Sequence, residues 1–183
     1  MNNQKYIAFR RKREGKTNYR KRRLLLGSQV LRLVIRKSLK HTNCQIVEYN
    51  VKGDHILVAS HSQELLKKGW TYNTGNIPAA YLTGFILGKK AKEKKIKKVI
   101  LDSGLHQSIT GNRIYAAAKG AQDAGLEVVL TQEPVGDVTR LQGAHIVAYA
   151  KKLKIEKNFT KKADAEQMPA MIEKIKQSLL RTP

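Results

Sequence analysis

The sequence predicts an α/β fold with a mixed sheet, in which antiparallel strands are joined to a β–α–β portion. We expect two helices on one face of the sheet, a basic N-terminal arm and a C-terminal helical appendage. Three observations support this. Three apolar segments come first, a helical pattern after Asn76 then leads into an apolar strand, and a second helix–strand pair follows. We divide the chain into an arm (1–23), a core (24–150) and a C-terminal segment (151–183).

The arm carries the densest charge. Residues 1–23 hold ten Lys or Arg residues against one acid, Glu14. They lack the apolar periodicity needed to fold alone, so we expect an extended or partly helical segment that its partner orders. Tyr6, Phe9 and Tyr19 stand among the arginines, which suits stacking on bases and pairing with phosphates. The alternative is a solvated basic tail or localisation patch, which would gain nothing from exposing three aromatic rings.

Residues 24–53 predict a hairpin, and Lys52-Gly-Asp-His marks the turn into a third strand. In the first strand, alternation sends the apolar residues to one face and Arg32 and Arg36 to the other. If a helix covers the apolar face, these arginines lie on the uncovered one. That face is a second candidate RNA surface, and its alternative is an ordinary solvated face. The predicted strands are residues 31–36, 43–49 and 56–59.

The helix after Gly75 is the predicted centre of the core. Asn76 is its N-cap, and Pro78 takes the first turn, where a missing N–H costs nothing. Lysines at its far end suit the negative end of the helix dipole, and a buried strand at 99–101 follows. The residues expected on its buried face are Ala79, Leu82, Thr83, Ile86, Leu87 and Ala91.

A second helix is predicted over 113–124, after a loop rich in glycine and hydroxyl groups. Its small-residue face should pack closely on the sheet, Gly125 should end it as a C′ residue, and a strand at 126–130 should follow. The crossover must be right-handed. The small residues are Ala117, Ala118, Ala121 and Ala124.

The last part of the chain predicts two more helices. One is expected over 141–152, and no structure is assigned to the lysine-rich connector at 151–162. A final apolar stripe needs a partner, either the core of this protein or a neighbouring surface. The stripe consists of Met168, Met171, Ile172, Ile175 and Leu179.

The net charge of +22 indicates a polyanion partner, since a protein held against phosphates needs such an excess. Membrane-surface binding would require an amphipathic helix with large apolar residues opposite the lysines. No apolar run reaches the length of a membrane span, so we expect a cytosolic protein with no membrane partner. The single cysteine, Cys44, is interpreted as a buried strand residue, because a lone cysteine excludes an internal disulfide and zinc-finger spacing.

No constellation of catalytic residues is evident, and we expect no cofactor, no metal and no small-molecule substrate. Asp102 and His106 lack the further carboxylates that two-metal phosphodiester chemistry needs. Asp102 is instead expected to accept backbone N–H groups in the turn that follows it. His41 and His61, like His55, are interpreted as surface or backbone-bonding residues. Trp70 could complete the core or stack on a base, and the core is favoured.

Several stretches together resemble the archaeal form of the large-subunit ribosomal protein L-eighteen family, which binds 5S rRNA. They occur in the family's order and cover roughly residues 6–150. The stretches are Phe9-Arg-Arg-Lys-Arg-Glu-Gly-Lys-Thr-Asn-Tyr19, Leu33-Val-Ile-Arg-Lys-Ser38, Gln45-Ile-Val-Glu-Tyr49, Gly75-Asn-Ile-Pro-Ala-Ala-Tyr-Leu-Thr-Gly84, Leu101-Asp-Ser-Gly-Leu-His106, Gly111-Asn-Arg113 and Lys119-Gly-Ala-Gln-Asp-Ala-Gly-Leu126.

The resemblance implies a non-enzymatic constituent of the large ribosomal subunit in the cytoplasm. It would bridge 5S rRNA to the large rRNA in the central protuberance, beside ribosomal protein L-five. The sequence departs from the family at residues 27–32, where a Gly-Lys-Pro-Arg turn is expected, and at 39–41, where Asn-Asn-His is expected. The alternative functions are a general basic nucleic-acid-binding protein or RNA chaperone, and a nuclease, which would need convergent carboxylates.

The candidate RNA-binding residues fall into three groups. The arm supplies phosphate and base contacts, and the sheet and its edges supply a second set by family likeness. Two residues begin helices whose free N–H groups could meet phosphates. They are, in that order, Arg10, Arg11, Lys12, Arg13, Lys16, Tyr19, Arg20, Arg22 and Arg23; Arg32, Arg36, Lys37, His41 and His61; Asn76 and Arg113.

Overall fold

A five-stranded mixed sheet forms the centre of the protein, for which a computed structural model describes residues 7–130, 135–153 and 165–181. The spatial order is β3-β2-β1-β4-β5; β1 pairs antiparallel with β2 and β2 with β3, whereas β4 pairs parallel with β1 and β5. The predicted fold class is confirmed. The strands are β1 (Arg32–Lys37), β2 (Thr42–Glu48), β3 (His55–His61), β4 (Lys98–Asp102) and β5 (Glu127–Val129).

Seven α-helices occur in the described ranges. The predicted order of three strands, helix, strand, helix and strand is confirmed, with the short α3 as an addition. The helices are α1 (Arg10–Arg13), α2 (Tyr19–Gly27), α3 (Glu64–Lys67), α4 (Ile77–Glu93), α5 (Arg113–Asp123), α6 (Ala144–Leu153) and α7 (Met168–Arg181).

The predicted alternation in the strands is confirmed. Leu33 and Ile35 of β1 are fully buried on the inner face of the sheet, which α4 and α5 cover. The register places Leu33 opposite Ile46 of β2, so apolar side chains meet across the strands. Trp70 is also buried in this core, as favoured from the sequence.

Helix α4 begins as predicted. The Asn76 side chain accepts a hydrogen bond from the Ala79 backbone N–H at 2.8 Å, and Pro78 lies in the first turn. The expectation of a single buried face is wrong, because every residue from 78 to 88 is buried. The sheet covers one side of α4, and both α5 and α7 contact it as well.

Helices α4 and α5 cross in direct backbone contact. A Cβ atom on Gly84 would lie 1.8 Å from the Ala117 carbonyl oxygen, and one on Gly120 would lie 2.0 Å from the Tyr81 carbonyl oxygen. Helix α5 also contacts β1 and β5, but its small-residue face makes this closest approach to α4. The prediction that this face packs on the sheet therefore needs correction: the small residues allow two helices to approach each other.

Helix α5 ends as predicted. Gly125 has a φ of 99°, and its N–H bonds to the Gln122 carbonyl while that of Leu126 bonds to the Ala121 carbonyl. Helix α6 begins three residues later than expected, because Gly143 has a φ of 81° and a 3-10 turn precedes it at Val138–Arg140.

The apolar stripe of α7 packs on the core of its own chain, which decides between the two partners considered from the sequence. Met168, Ile172, Ile175 and Leu179 are buried, and α7 contacts α4. A cation–π contact supports this docking, since the Lys176 ammonium lies 5.5 Å from the Tyr81 ring centroid. The connector is expected to start at 151, but Lys151 and Lys152 belong to α6, and its residues 154–162 lie outside the described ranges.

Residues 24–27, expected in a hairpin, are helical instead. Helix α2 runs from Tyr19 to Gly27 and crosses the predicted boundary between arm and core. The Asn18 side chain accepts a hydrogen bond from the Lys21 N–H at 3.1 Å, and this N-cap starts a helix that three consecutive leucines continue.

Candidate nucleic-acid interface

The arm lies across the outer face of the sheet, opposite α4 and α5. Residues of α2, including Leu25, line a cleft together with Val34 and Gln45 of the sheet. Two consecutive side chains of α2 hold it there at separate points: Lys21 Nζ donates to Ser103 Oγ at 2.9 Å, and Arg22 donates to Asp54 at 2.9 Å. The arm is partly helical, as predicted, and is built onto its own domain.

Five charged side chains form a continuous series of ion pairs between the arm and the sheet, which we call the outer-face network: Arg22, Asp54, Arg32, Asp102 and Arg36. Asp54 Oδ2 accepts from Arg32 at 2.7 Å, and Arg32 donates onward to Asp102 at 3.2 Å. Arg36 donates to the other oxygen of Asp102 at 3.1 Å. The three arginines exceed the two aspartates by one positive charge.

Arg32 is not a surface residue. Only 2% of it is exposed, because the two aspartates flank its guanidinium and the sheet packs around it. The expectation that Arg32 lies on an uncovered face is therefore wrong. Arg36 retains a half-exposed side chain and remains a candidate for RNA contact.

Both network carboxylates are ionised at neutral pH. Desolvation opposes this for Asp54, but hydrogen bonds and charge from Arg32 and Arg22 outweigh it, and the pKa lies below its ordinary value. Burial likewise opposes ionisation of Asp102, but Arg36, the Gly104 N–H and Arg32 outweigh it and lower the pKa. The Gly104 N–H donates to Asp102 at 2.8 Å, which confirms the structural role predicted for this aspartate.

Helix α1 presents its four basic residues to solvent at the outer end of the arm. It folds back on α2, since the Phe9 and Tyr19 rings lie 5.1 Å apart and Arg11 Nε donates to Thr17 Oγ1 at 3.0 Å. Glu14 pairs with two basic neighbours in exposed bridges that contribute little stability. Arg20 and Arg23 are exposed on α2. Tyr6, the other expected stacking residue, lies outside the described residues.

The two histidines among the candidate RNA-binding residues of the sheet lie near the carboxyl end of β1. The rings of His41 and His61 are 5.0 Å apart, and His41 Nδ1 lies 3.1 Å from Thr74 Oγ1. His61 Nδ1 accepts from the Gln63 N–H at 3.2 Å. Desolvation and the neighbouring His41 lower the pKa of His61, although Glu64 acts in the opposite direction. The prediction of backbone-bonding histidines is confirmed for His61.

Asn76 and Arg113 lie at the starts of α4 and α5, which the Arg113 side chain links. The Asn76 oxygen is engaged in capping α4, and Arg113 donates to the Gly75 carbonyl at 2.8 Å. Asn112, one residue earlier than Arg113, is the N-cap of α5. Contact between these helix ends and phosphate stays a prediction.

Comparison with known proteins agrees with this basic, arm-bearing α/β domain. A family model described as ribosomal large subunit proteins 60S L5 and 50S L18 matches residues 4–98 and 88–131. The large ribosomal subunit protein uL18 of Methanococcus maripaludis is 42% identical over an alignment of 189 positions, which covers 98% of this chain and 98% of that protein. The chain belongs to this ribosomal L5/L18 family. The resemblance read from the sequence is confirmed, and the relative is archaeal.

Membership in the L5/L18 family makes the chain a constituent of the large ribosomal subunit, where it binds rRNA, rather than an enzyme. The expected cytoplasmic location follows from the same membership. Within the described residues, no group of three or more potential metal ligands comes together. None of the described helices is long and apolar enough to cross a membrane.

Two residues that hold the arm of this L5/L18-family protein in place could not be recognised from the sequence. The sequence marks Lys21 only as a charge and Asp54 only as part of a turn. Asp54 gives no clear signal, because an aspartate in a turn is ordinarily solvated. Which arginine it meets depends on long-range packing of α2, and no local pattern specifies that.

Proposed function

We propose that this ribosomal protein binds 5S rRNA through its arm and the adjoining outer face of the sheet, and bridges it to the large rRNA in the central protuberance beside ribosomal protein L-five. One observation carries the proposal: the arm is folded onto the sheet, and all of its arginines except Arg22 are exposed to solvent. Helix α1, Arg20, Arg23 and the half-exposed Arg36 then form one basic surface, with Tyr19 among them. Phosphate contact supplies affinity, and the fixed geometry supplies shape selection.

A second basic surface supports the bridging role. The end of α4 and the turn into β4 carry exposed lysines, and α4 packs on the face of the sheet opposite the arm. One RNA could therefore engage the arm while another engages these lysines. Two of these exposed lysines have protein partners, Lys94 at the Leu57 carbonyl and Lys98 at Glu127. The lysines without such a bond in the described structure are Lys92, Lys95 and Lys97.

The salt dependence of 5S rRNA binding tests the proposed role of the arm. Alanine at Arg11, Arg13 or Arg20 should weaken 5S rRNA binding and reduce the slope of log K against log salt by about one for each phosphate that the variant no longer neutralises. A filter-binding series across salt concentrations measures the slope. Unchanged slopes in all three variants would contradict the assignment of the arm.

The lysine surface is tested separately. Triple alanine replacement of Lys92, Lys95 and Lys97 should leave 5S affinity close to wild type and weaken retention of the protein–5S complex on a fragment of the large rRNA. Arm variants should show the reverse pattern. Equal loss of both activities in both sets would favour a general basic nucleic-acid-binding protein.

A further inference from the structure

Asp54 is an acidic residue within the surface that is proposed to bind RNA. It follows the turn between β2 and β3 and lies beneath the arm. Coulomb interaction alone makes a carboxylate in this position unfavourable for RNA binding. Its presence therefore calls for a structural explanation, and its contacts provide one.

The carboxylate joins the arm to the sheet. Both of its oxygens lie 2.9 Å from the same Arg22 nitrogen of α2, and one of them lies 2.7 Å from Arg32 of β1. Arg32 is a fixed support, since its side chain is 3% exposed and Asp102 holds it from the other side at 3.2 Å. Asp54 thus links helix α2 to a buried residue of the sheet.

The position of the arm depends on few such links. Among the described residues, the long-range polar contacts of α2 with the sheet and its loops are those of Lys21 and Arg22. Helix α1 packs back on α2, as the contact of Phe9 with Tyr19 shows. A rotation of α2 about the Lys21 contact would therefore move α1 and the exposed arginines together.

We propose that Asp54 is a positioning residue for RNA recognition: by holding Arg22 against Arg32, it fixes the direction in which the arm presents its cations. This inference rests on the proposed binding of 5S rRNA. It predicts that removing a negative charge weakens specific binding to a polyanion. If charge neutralisation alone governed binding, removing the same charge would strengthen it. The two explanations therefore predict changes in affinity of opposite sign.

The first variant is Asp54→Asn, which keeps the shape of the side chain and removes its charge. Its matched control is Glu48→Gln, which makes the same charge change at the end of β2, at an exposed residue with no ion pair among the described contacts. We expect D54N to bind 5S rRNA about tenfold more weakly than E48Q, the equivalent of removing one charge-assisted hydrogen bond. Binding of D54N to transfer RNA should be unchanged or tighter than wild type.

A second pair of variants approaches the same link from the arm and leaves the sheet untouched. Arg22→Gln removes both the link and a charge, whereas Arg23→Gln removes a charge from an exposed neighbour on the same helix. We expect R22Q to bind 5S rRNA about tenfold more weakly than R23Q. The double variant R22Q/D54N should bind about as well as R22Q alone, because Asp54 acts through Arg22. Should D54N fail to fold, R22Q against R23Q decides the question.

The results distinguish this inference from the proposed function. A wild-type chain with no preference for 5S rRNA over transfer RNA would overturn both. Wild-type preference for 5S rRNA, together with D54N binding as tightly as E48Q and R22Q as tightly as R23Q, would overturn the role of Asp54 alone. Additive losses in the double variant would show that Asp54 does not act through Arg22.

Discussion

Replacing Gly84 with alanine tests the contact on which the helical layer is built. A Cβ atom at this position would lie 1.8 Å from the Ala117 carbonyl oxygen and 2.6 Å from the Ala117 carbonyl carbon. Ordinary contact begins at 3.4 Å, so α4 and α5 would have to separate locally by about 1.6 Å. The obstructing atoms belong to the backbone of α5, and no side-chain rotation can relieve the clash.

The expected cost follows from two opposing contributions. Overpacking of a core costs roughly 1–3 kcal/mol, and a backbone obstruction places this site near the upper value. Alanine in a helix interior recovers roughly 0.5–1 kcal/mol relative to glycine. We therefore expect a net loss of about 2 kcal/mol, or a melting temperature lowered by about 4–8 °C for a chain of this size.

Urea denaturation and thermal melting, followed by circular dichroism, measure this loss. The control is Gly27→Ala at the end of α2, where an added Cβ meets no atom within 4 Å. The control should be as stable as wild type or up to about 1 kcal/mol more stable. A G84A protein that matches wild type or its G27A control in stability would refute the close crossing of α4 and α5.

Three further predictions concern the core and the outer-face network. Cys44 is fully buried and burial raises its pKa to about 12, so a thiol reagent at pH 8 should leave it unmodified in the native protein and modify it fully in denaturant. The pKa of Asp102 is lowered in the folded state, so its contribution to folding stability is present above the unfolded pKa of about 3.9 and is lost as the pH falls through the folded pKa. The melting temperature should therefore fall between pH 7 and pH 3, and it should fall less steeply in Asp102→Asn. Ile172 is 1% exposed, so Ile172→Ala should cost roughly 2–5 kcal/mol in urea denaturation, whereas the exposed Lys174→Ala should change stability by less than about 0.5 kcal/mol; equal effects would contradict the docking of α7.

The elements that sequence reasoning predicted well are those specified by local chemistry. Asn76 and Pro78 mark the start of α4, Gly125 marks the end of α5, and alternation identifies the inner face of β1. Each depends on a hydrogen bond or a side-chain direction set within a few residues. Such patterns can be recognised from a few neighbouring residues of the sequence.

The features that could not be predicted from the sequence depend on contacts between distant segments of the chain. The burial of Arg32 requires Asp54 and Asp102, which lie 22 and 70 residues away. The small face of α5 looks the same in sequence whether it meets a sheet or the glycines of α4. The end of α2 is predicted as part of a hairpin because three leucines are compatible with either element, and the Asn18 cap decides for the helix.

Recognition of 5S rRNA by the arm and the outer face should depend on shape as well as on charge. Competition binding at near-physiological salt tests this, with labelled 5S rRNA against excess transfer RNA and duplex DNA of similar size. If the proposed function is right, the 5S complex should survive both competitors, because the fixed arrangement of arm and sheet would then match 5S rRNA better than either competitor. Displacement by transfer RNA and duplex DNA as readily as by unlabelled 5S rRNA would contradict shape recognition and leave an affinity due to charge neutralisation alone.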